Sequence, residues 1–212
     1  VLDIFARLNS YAVKLNAQEL RNSQYFGAFK QTAYSLAFEY VSFWVQNKIF
    51  TDAGILRMNE VELVSELLIA MIDGTKSRKA IDTYYDKYDD ELKGETKLTK
   101  EFRVTMDTIG AISGGALKET VFASPVLFYS LFCSIYHHLY GLENLEVTRK
   151  PFKEAQYAKV WSALESVETI IKNDKPTKKE KEFIDSLKRH TTDESVRKDR
   201  TTFLANMIAK HL

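Results

Sequence analysis

The sequence predicts a mainly α protein, a multi-helix orthogonal bundle packed around one central apolar helix. Apolar residues make up 45% of the 212 residues, which is enough for a sizeable buried core. Only three prolines and eight glycines interrupt the chain, so long helices are favoured over a sheet with many turns. In most segments apolar residues recur every three or four positions, which is the period of one helix face.

The N-terminal segment is predicted to hold two short helices joined by a loop. Apolar residues at helical spacing predict an amphipathic helix over residues 1–8, and the loss of that spacing predicts a loop over residues 10–14. Asn16 stands where an N-cap belongs, and Glu19 three residues later can complete a capping box. A second helix is therefore predicted to start after Asn16.

Two longer helical segments follow. Residues 25–49 carry a broad apolar and aromatic stripe, which predicts a centrally packed helix. The next helix is predicted to start at Asn59 as its N-cap, with Glu62 completing the box and a clear buried face after it. The pair Asp73 and Gly74 is interpreted as the end of that helix.

An acidic segment and a glycine-rich segment come next. Residues 82–95 contain six acids and two lysines, which indicates a solvated helix face, because the spacing matches no calcium loop. A helix over residues 99–109 leads into the glycine-rich residues 110–118. A phosphate-binding loop needs Gly-Lys followed by Ser or Thr, whereas Lys118 stands three residues after the last glycine. We therefore expect a flexible connection.

The most apolar segment is predicted to be the central helix. No aspartate, glutamate, lysine or arginine occurs between Glu119 and Glu143, and Ser124 with Pro125 supplies an N-cap and a first-turn proline for a helix reaching Tyr140. The length would allow a membrane span. Its serines and histidines, and its amphipathic neighbours, favour a buried helix in a bundle instead.

Three side chains in this segment carry groups that can bind a metal ion or act in catalysis. The side chains of His137 and His138 point about 100° apart on a helix, so they cannot both bind one metal ion without distortion. Cys133 lies among apolar residues and is interpreted as a core residue. No metal site and no catalytic residue is predicted in the chain, because no nucleophile, base and acid share a recognisable spacing.

The last third of the chain is predicted to contain three helices. Helical spacing of apolar residues covers residues 160–171, and residues 173–176 form a break. Thr177 with Glu180 forms another capping box. A terminal helix is predicted over residues 195–212, with its apolar residues reaching the core.

A modest basic edge is predicted within residues 172–200, which hold ten basic and seven acidic side chains. Lysine and arginine supply most of the sequence-independent affinity for nucleic acid, so such an edge can contact phosphates. An ordinary solvated helix surface is the alternative, because the acids are interspersed. The candidate phosphate contacts are Lys178, Lys179, Lys188, Arg189, Arg197, Lys198 and Arg200.

Charge and cysteine content limit the function classes. With 30 basic and 29 acidic residues the net charge is +1, so no global field steers the protein to nucleic acid or to an anionic membrane. We expect no membrane partner, and any contact with DNA must be local. The single cysteine excludes an internal disulfide and suits the reducing cytoplasm, where we expect the protein to reside.

Two runs near the N-terminus, residues 4–10 (IFARLNS) and 15–22 (LNAQELRN), resemble the signature of a large prokaryotic domain-of-unknown-function family. That family forms the N-terminal half of GmrSD-type modification-dependent restriction enzymes. Its members resemble ParB-like and sulfiredoxin-like nucleotide-binding folds, with a catalytic Asp-Gly-Gln-Gln-Arg motif upstream of the signature and a helical region after it. Weaker similarity covers residues 57–68, 82–86 and 190–204.

The resemblance implies a domain organisation. Residues 1–24 would be the end of a ParB-like nucleotide-binding region, and residues 25–212 a helical bundle domain. An α/β portion carrying the catalytic motif would precede Val1, so the bundle is expected to lack its N-terminal α/β portion. That N-terminal half of the same protein is the first expected partner, and DNA is the second.

The same resemblance implies a function. The intact parent would be an anti-phage defence protein that senses modified DNA and hydrolyses a nucleoside triphosphate. Asn9, Glu19, Arg21 and Asn22 would support the nucleotide site, with Arg21 pairing with phosphate or with Glu19, Asn9 orienting a loop and Asn22 stiffening the turn. The chain alone is expected to be inactive and to hold no cofactor, because the catalytic motif is outside it.

Two alternatives stand beside this interpretation. The 24 phenylalanine and tyrosine residues allow a standalone helical module that presents an aromatic groove to a partner protein, although most of these rings are expected in the core. The basic edge allows a helical nucleic-acid-binding domain. The sequence leaves the oligomeric state open.

Overall fold

The computed structural model describes residues 14–212, and this part of the chain contains eleven α-helices and no strand. The prediction of a mainly α multi-helix bundle is therefore confirmed. The predicted helix over residues 1–8, Asn9 and most of the predicted loop lie outside the described residues. The helices are α1 (Ala17–Gln24), α2 (Ala28–Glu39), α3 (Val41–Gln46), α4 (Asp52–Leu56), α5 (Asn59–Asp73), α6 (Ile81–Lys87), α7 (Glu95–Ser113), α8 (Pro125–Leu139), α9 (Tyr157–Ile171), α10 (Lys178–Ser186) and α11 (Glu194–His211).

Helix α8 is the predicted central helix. Every side chain from Leu127 to His138 is buried, and α8 packs against α5, α7 and α11. Ser124 is its N-cap and Pro125 its first residue, as predicted, although the serine hydroxyl makes no capping hydrogen bond. An apolar helix without surface charges can be accommodated only where neighbours cover all its faces.

Helix α5 is mostly buried, but its start differs from the prediction. Asn59 is the first helical residue, and Met58 takes the N-cap position in a left-handed conformation with φ 57°. The predicted capping box of Asn59 and Glu62 is therefore wrong. The Glu62 carboxylate instead forms ion pairs with arginines. The helix ends at Asp73, followed by Gly74 with φ 76°, which confirms the predicted helix end.

The other helix ends follow local chemistry closely. The capping boxes of Asn16 with Glu19 and of Thr177 with Glu180 are both present.

The predicted helical segment over residues 25–49 is divided at Tyr40 into α2 and α3. Helix α7 is longer at both ends than predicted and stops at the left-handed Gly114, in the glycine-rich connection.

The two histidines of α8 form hydrogen bonds with the loop that follows α8 and with the last helix. Nδ1 of His137 accepts a hydrogen bond from the Leu142 amide, and Nδ1 of His138 accepts one from the Lys150 amide. Each Nε2 is therefore the protonated nitrogen and donates to a carbonyl, that of Val147 for His137 and that of Ala205 for His138, both at 3.0 Å. Burial lowers the pKa of both rings, that of His138 to about 4.

Within residues 14–212 no group of three or more histidine, cysteine or acidic side chains is arranged to hold a metal ion. None of the described helices combines the length and the apolarity that crossing a membrane requires.

Helix α1 belongs to the same packed unit as the helices that follow it. It packs against α5, and Gln18 and Arg21 on its inner side are buried. The assignment of residues 1–24 to a separate nucleotide-binding region stays a prediction. Among the described residues, α1 is fixed to the bundle by a set of polar contacts.

Candidate functional site: an arginine–glutamate chain

A polar stripe runs along the otherwise apolar helix α5. Glu62, Ser65 and Glu66 are three and four positions apart, so they lie on one face of the helix. The Glu66 side chain is only 1% exposed, and a buried carboxylate is costly unless cations and hydrogen-bond donors surround it. Arginines from three other parts of the chain provide these partners.

The first partner is Arg21 of α1, which the resemblance placed at the nucleotide site. Its Nε donates to Asp82 at 2.6 Å, and its Nη1 donates to Glu62 at 3.3 Å. Nη1 also donates to the side-chain oxygen of Gln18 at 3.3 Å. Arg21 is buried and its Nε and Nη1 bond protein groups, so in this structure Arg21 joins α1 to α5 and α6.

A neutral branch continues from Gln18. The Gln18 side-chain amide donates to the Tyr85 hydroxyl at 2.9 Å, and Tyr85 lies 3.0 Å from the Ser65 hydroxyl. Ser65 gives its only proton to the Val61 carbonyl at 2.8 Å. Tyr85 must therefore donate to Ser65. Each hydroxyl of this buried branch has a defined donor and acceptor role.

The second partner is Arg78, which follows the turn after α5. Its Nη1 lies 3.1 Å from Glu62 and its Nε donates to Glu66 at 2.7 Å. Burial lowers the pKa of Arg78, but the attraction and hydrogen bonding of Glu66 and Glu62 outweigh it and leave the pKa raised. Arg78 therefore bridges the two glutamates of the stripe as a permanent cation.

The third partner is Arg197 of α11. Its Nη2 donates to Glu66 at 2.5 Å, and its Nη1 donates to the Lys76 carbonyl at 3.0 Å. The guanidinium carbon lies 4.3 Å from the centre of the Tyr129 ring of α8, which adds a cation–π contact. Arg197 thus ties the last helix to α5 and to the central helix.

The complete set, which we call the arginine–glutamate chain, is balanced in charge. It contains three guanidinium groups and three carboxylates: Arg21, Arg78, Arg197, Glu62, Glu66 and Asp82. Every carboxylate in it accepts at least one charge-assisted hydrogen bond from a guanidinium group. Such an arrangement fixes the positions of helices.

The other residues assigned to the nucleotide site are placed as follows. Glu19 caps α1, and its carboxylate lies 3.1 Å from Arg57, whereas Arg21 pairs with Glu62 and Asp82 in this structure. Asn22 is half-buried, and its carbonyl accepts a hydrogen bond from Lys30 at 2.9 Å. Asn9 lies outside the described residues. Glu19 and Asn22 therefore make separate contacts that support α1.

Two of the seven candidate phosphate contacts are in the interior. Arg197 belongs to the arginine–glutamate chain, and Arg200 is buried with no carboxylate partner within residues 14–212. Arg200 donates to the Ser130 hydroxyl and to the carbonyls of Ser186 and Thr191. Burial lowers its pKa to about 10. These two assignments are corrected, because neither guanidinium can reach an external phosphate in this structure.

The remaining candidates are at the surface. Lys178, Lys179, Lys188 and Arg189 are exposed, and no ion pair to them is found within the described range. Lys198 is half-buried and lies 3.4 Å from Glu146. Lys188 and Arg189 sit in the connection between α10 and α11 that Arg200 holds from inside. Arg200 therefore positions two of the exposed cations.

Sequence reasoning missed Glu66 and Arg78 entirely. The available signal was a glutamate in the middle of a run of buried aliphatic residues, which requires a cation from elsewhere in the chain. Arg197 and Arg200 also had a signal, since they continue the buried face of Leu204 and Ile208 at helical spacing. Charge alone had placed them at the surface.

Comparisons with known proteins add no relative. No family model, no curated protein and no solved structure matches the chain. The fold and the arginine–glutamate chain define the class of protein: a mainly α, multi-helix bundle whose N-terminal described helix is fixed by buried ion pairs.

Proposed function

We propose that this chain is the helical portion of a GmrSD-like anti-phage defence protein whose intact form senses modified DNA and hydrolyses a nucleoside triphosphate. In this proposal the chain provides a rigid support and contributes no catalytic group. The catalytic groups would come from the α/β half that the resemblance implies. The GmrSD-like part of the proposal rests on the resemblance of residues 4–10 and 15–22. The observation that favours a supporting role is the burial of Arg21, an arginine of that signature, in the arginine–glutamate chain.

The described part of the signature supports this division of roles. Asn16, Glu19 and Arg21 are all used to cap, orient or anchor α1. A helix fixed by a capping box at its start and by two ion pairs at its inner face holds one position on the bundle. Signature residues that cap and anchor α1 stabilise the structure of a neighbouring site and need not contact the nucleotide.

The proposal has a direct test in the reading frame upstream of Val1. We expect it to encode an Asp-Gly-Gln-Gln-Arg motif, and we expect the protein with that segment to hydrolyse nucleoside triphosphate while the 212-residue chain does not. Substituting the motif arginine should abolish turnover. An upstream frame without the motif, or turnover by the chain alone, would contradict the proposal.

A second candidate function, contact with nucleic acid, is favoured by the exposed cations Lys178, Lys179, Lys188 and Arg189. Cations on a surface release counterions from a phosphate backbone, so binding should weaken steeply with salt. Because Lys188 and Arg189 lie on a connection that Arg200 anchors, they are held in a fixed relation to the bundle. This surface would support DNA sensing without base-specific contacts.

Binding of a labelled 20-base-pair duplex, followed by fluorescence anisotropy between 50 and 200 mM salt, tests this function. Reversing all four charges to glutamate should weaken binding strongly at 50 mM salt and reduce the salt slope of the remaining binding by about three to four. The matched control reverses Lys97 and Lys100, which are exposed on α7, and should change affinity little. Absence of binding by the wild-type chain at 50 mM salt would remove the second function.

A further inference from the structure

A groove with a volume of about 490 Å³ opens on the surface between α7 and the start of α9. Helix α7 packs against α9, and a 3₁₀ turn, Glu154–Gln156, leads into α9. Six residues line the groove: Val104, Asp107, Thr108, Ala111, Glu154 and Tyr157. The four residues from α7 are three or four positions apart and therefore share one face of that helix. None of the six belongs to the arginine–glutamate chain.

The groove contains two carboxylates without an ion-pair partner. Asp107 and Glu154 are exposed, and neither forms an ion pair with a residue in the range 14–212. Asp107 accepts one hydrogen bond, from the Tyr40 hydroxyl at 3.2 Å. The cation one turn away on α7, Arg103, is bound by both carboxylate oxygens of Glu39 at 2.8–3.1 Å. The two carboxylates of the groove are therefore free to attract a cationic ligand.

Thr108 is a second, independent indication of a ligand. The residue is only 6% exposed, and its hydroxyl makes no hydrogen bond with any residue that the structure describes. The fully buried Thr105 differs, because its hydroxyl donates to the Glu101 carbonyl at 2.8 Å. The Thr108 hydroxyl is not fully enclosed by protein, and Thr108 lines the groove. A nearly buried hydroxyl without a partner is costly, so its position favours a polar group of a ligand there.

The remaining walls of the groove are apolar and determine what kind of cation fits. Val104 is 37% exposed, and Ala111 is exposed. The Tyr157 ring is half-buried and packs against the Phe152 ring, with the two centroids 6.1 Å apart. An aliphatic chain can cover these apolar surfaces, whereas a metal ion requires more oxygen ligands than two carboxylates and one hydroxyl provide. The walls therefore favour an organic cation over a metal ion.

We propose that the groove binds an aliphatic ammonium ligand, which is a primary ammonium group carried on a chain of methylenes. The ammonium group has three N–H donors, and the carboxylates of Asp107 and Glu154 and the hydroxyl of Thr108 are its acceptors. The methylenes lie against Val104 and Tyr157. Small free amines and the lysine side chain of another protein share this chemistry. All the lining residues belong to this chain, so binding requires no upstream domain.

Titration of the isotope-labelled 212-residue chain with butylammonium, followed by the backbone amide signals in NMR spectra, tests the proposal. Salt screens the exposed carboxylates of an open groove, so we expect a dissociation constant on the order of 1 mM at about 20 mM salt. The largest shifts should occur at residues 104–111 and 154–157, and they should saturate. Raising the salt to about 200 mM should weaken binding.

Substitutions in the groove test the role of each acceptor. Asp107→Asn and Glu154→Gln should each weaken butylammonium binding about 3- to 10-fold, and Thr108→Val about 3-fold. The matched control is Glu165→Gln, which removes an exposed carboxylate of α9 outside the groove and should bind like the wild type. Tetramethylammonium has the same charge but no N–H donor, so it should bind at least about 5-fold more weakly. The amide spectra also show whether each variant is folded.

Three results would overturn the proposal. The first is the absence of saturable shifts at the groove in the wild-type chain. The second is binding that the double variant Asp107→Asn with Glu154→Gln leaves unchanged. The third is a loss of affinity in Glu165→Gln as large as in the groove variants, because the ligand would then be attracted to acidic surface in general.

Two further probes distinguish the possible sources of the ammonium group. They are a diamine, 1,4-diaminobutane, and a lysine whose backbone ends are acetylated and amidated, and the proposal predicts that both bind in the groove. If the diamine binds more tightly than butylammonium, the ligand is a free amine whose two charges use both carboxylates. If the lysine derivative binds more tightly, the ligand is a protein side chain. Failure of both probes to bind would contradict the proposal.

Discussion

Arg197 and Glu66 meet in the interior of the bundle, with Nη2 and Oε1 2.5 Å apart across 131 residues of sequence. The two side chains are 3% and 1% exposed. The contact joins the last helix to α5, while Arg78 joins the same glutamate to Glu62 and so to Arg21 of the first described helix. One polar chain therefore connects both ends of the described fold.

Glu66→Gln should destabilise the protein strongly, because it leaves the buried guanidinium of Arg197 without its anion. We expect a loss of about 3–5 kcal/mol in the free energy of unfolding, measured by urea denaturation. The double variant Glu66→Met with Arg197→Met should lose less than Glu66→Gln alone, because it removes both charges together.

The matched control for this prediction is Glu39→Gln. Glu39 forms a bidentate pair with Arg103 at 2.8–3.1 Å, but both side chains are about 40% exposed. Such a surface pair contributes at most about 1 kcal/mol. If Glu66→Gln cost no more than Glu39→Gln, the buried pair would have no special importance for stability.

His138 should make the protein less stable in mild acid. Burial lowers its pKa from 6.5 to about 4 in the folded state, so below pH 6.5 the unfolded chain takes up a proton that the folded chain does not. The neutral, buried His138 therefore contributes up to about 3 kcal/mol to the free energy of unfolding. This contribution is fully present above pH 6.5 and is lost as the pH falls to 4. Urea denaturation of the wild type and of His138→Gln at each pH isolates it, since the variant should lack this dependence.

Glu60 should make the protein less stable as the pH rises, which is opposite to the effect of His138. Burial raises its pKa from 4.5 to about 7, so the folded chain takes up a proton between pH 7 and pH 4.5 while the unfolded chain remains charged. Glu60→Gln should therefore stabilise the protein by up to about 3 kcal/mol at pH 8, and the gain should disappear by about pH 4.5. A gain that does not change with pH would show that the Glu60 charge is not the cause.

Gly27 should tolerate no side chain. A Cβ atom there would lie 1.9 Å from the Asp89 carbonyl oxygen, where the amides of Ala28 and Phe29 bond the carbonyls of Asp89 and Tyr88. Gly27→Ala should cost about 2–3 kcal/mol by forcing the α2 start away from this loop.

Gly94→Ala is the comparison for Gly27→Ala. Gly94 has φ 78° but no atom within 4 Å of an added Cβ, so its substitution should cost only about 1 kcal/mol of backbone strain. Thermal or urea unfolding of the two variants measures both losses. Equal losses in the free energy of unfolding would mean that the close approach of Gly27 to Asp89 does not determine the cost of Gly27→Ala.

Local chemistry explains which parts of the fold the sequence could predict. The capping boxes at Asn16 and Thr177, the end of α5 at Gly74 and the central position of α8 depend on residues within a few positions of one another. These interactions are formed by neighbouring groups whatever the rest of the chain does.

The candidate site could not be predicted in the same way. The contacts of its three arginines with carboxylates join residues 12 to 131 positions apart, and no local pattern gives the pairing of Arg21 with Glu62 or of Arg197 with Glu66. Charged residues were assigned to the surface because most charged residues lie there. For Arg197 and Arg200 the helical period shared with Leu204 indicated burial, and that period should have outweighed their charge.

Hydrogen exchange of the α1 amides tests most directly whether the arginine–glutamate chain anchors the signature helix. Arg21→Gln removes both ion pairs of Arg21 while the pair of Glu19 with Arg57 remains, so exchange across Ala17–Gln24 should accelerate on the order of 10- to 100-fold relative to the wild type. Gln24→Ala, an exposed change on the same helix, should leave the exchange nearly unchanged. Unchanged exchange in Arg21→Gln would contradict the account, because α1 would then be held in place without its buried arginine.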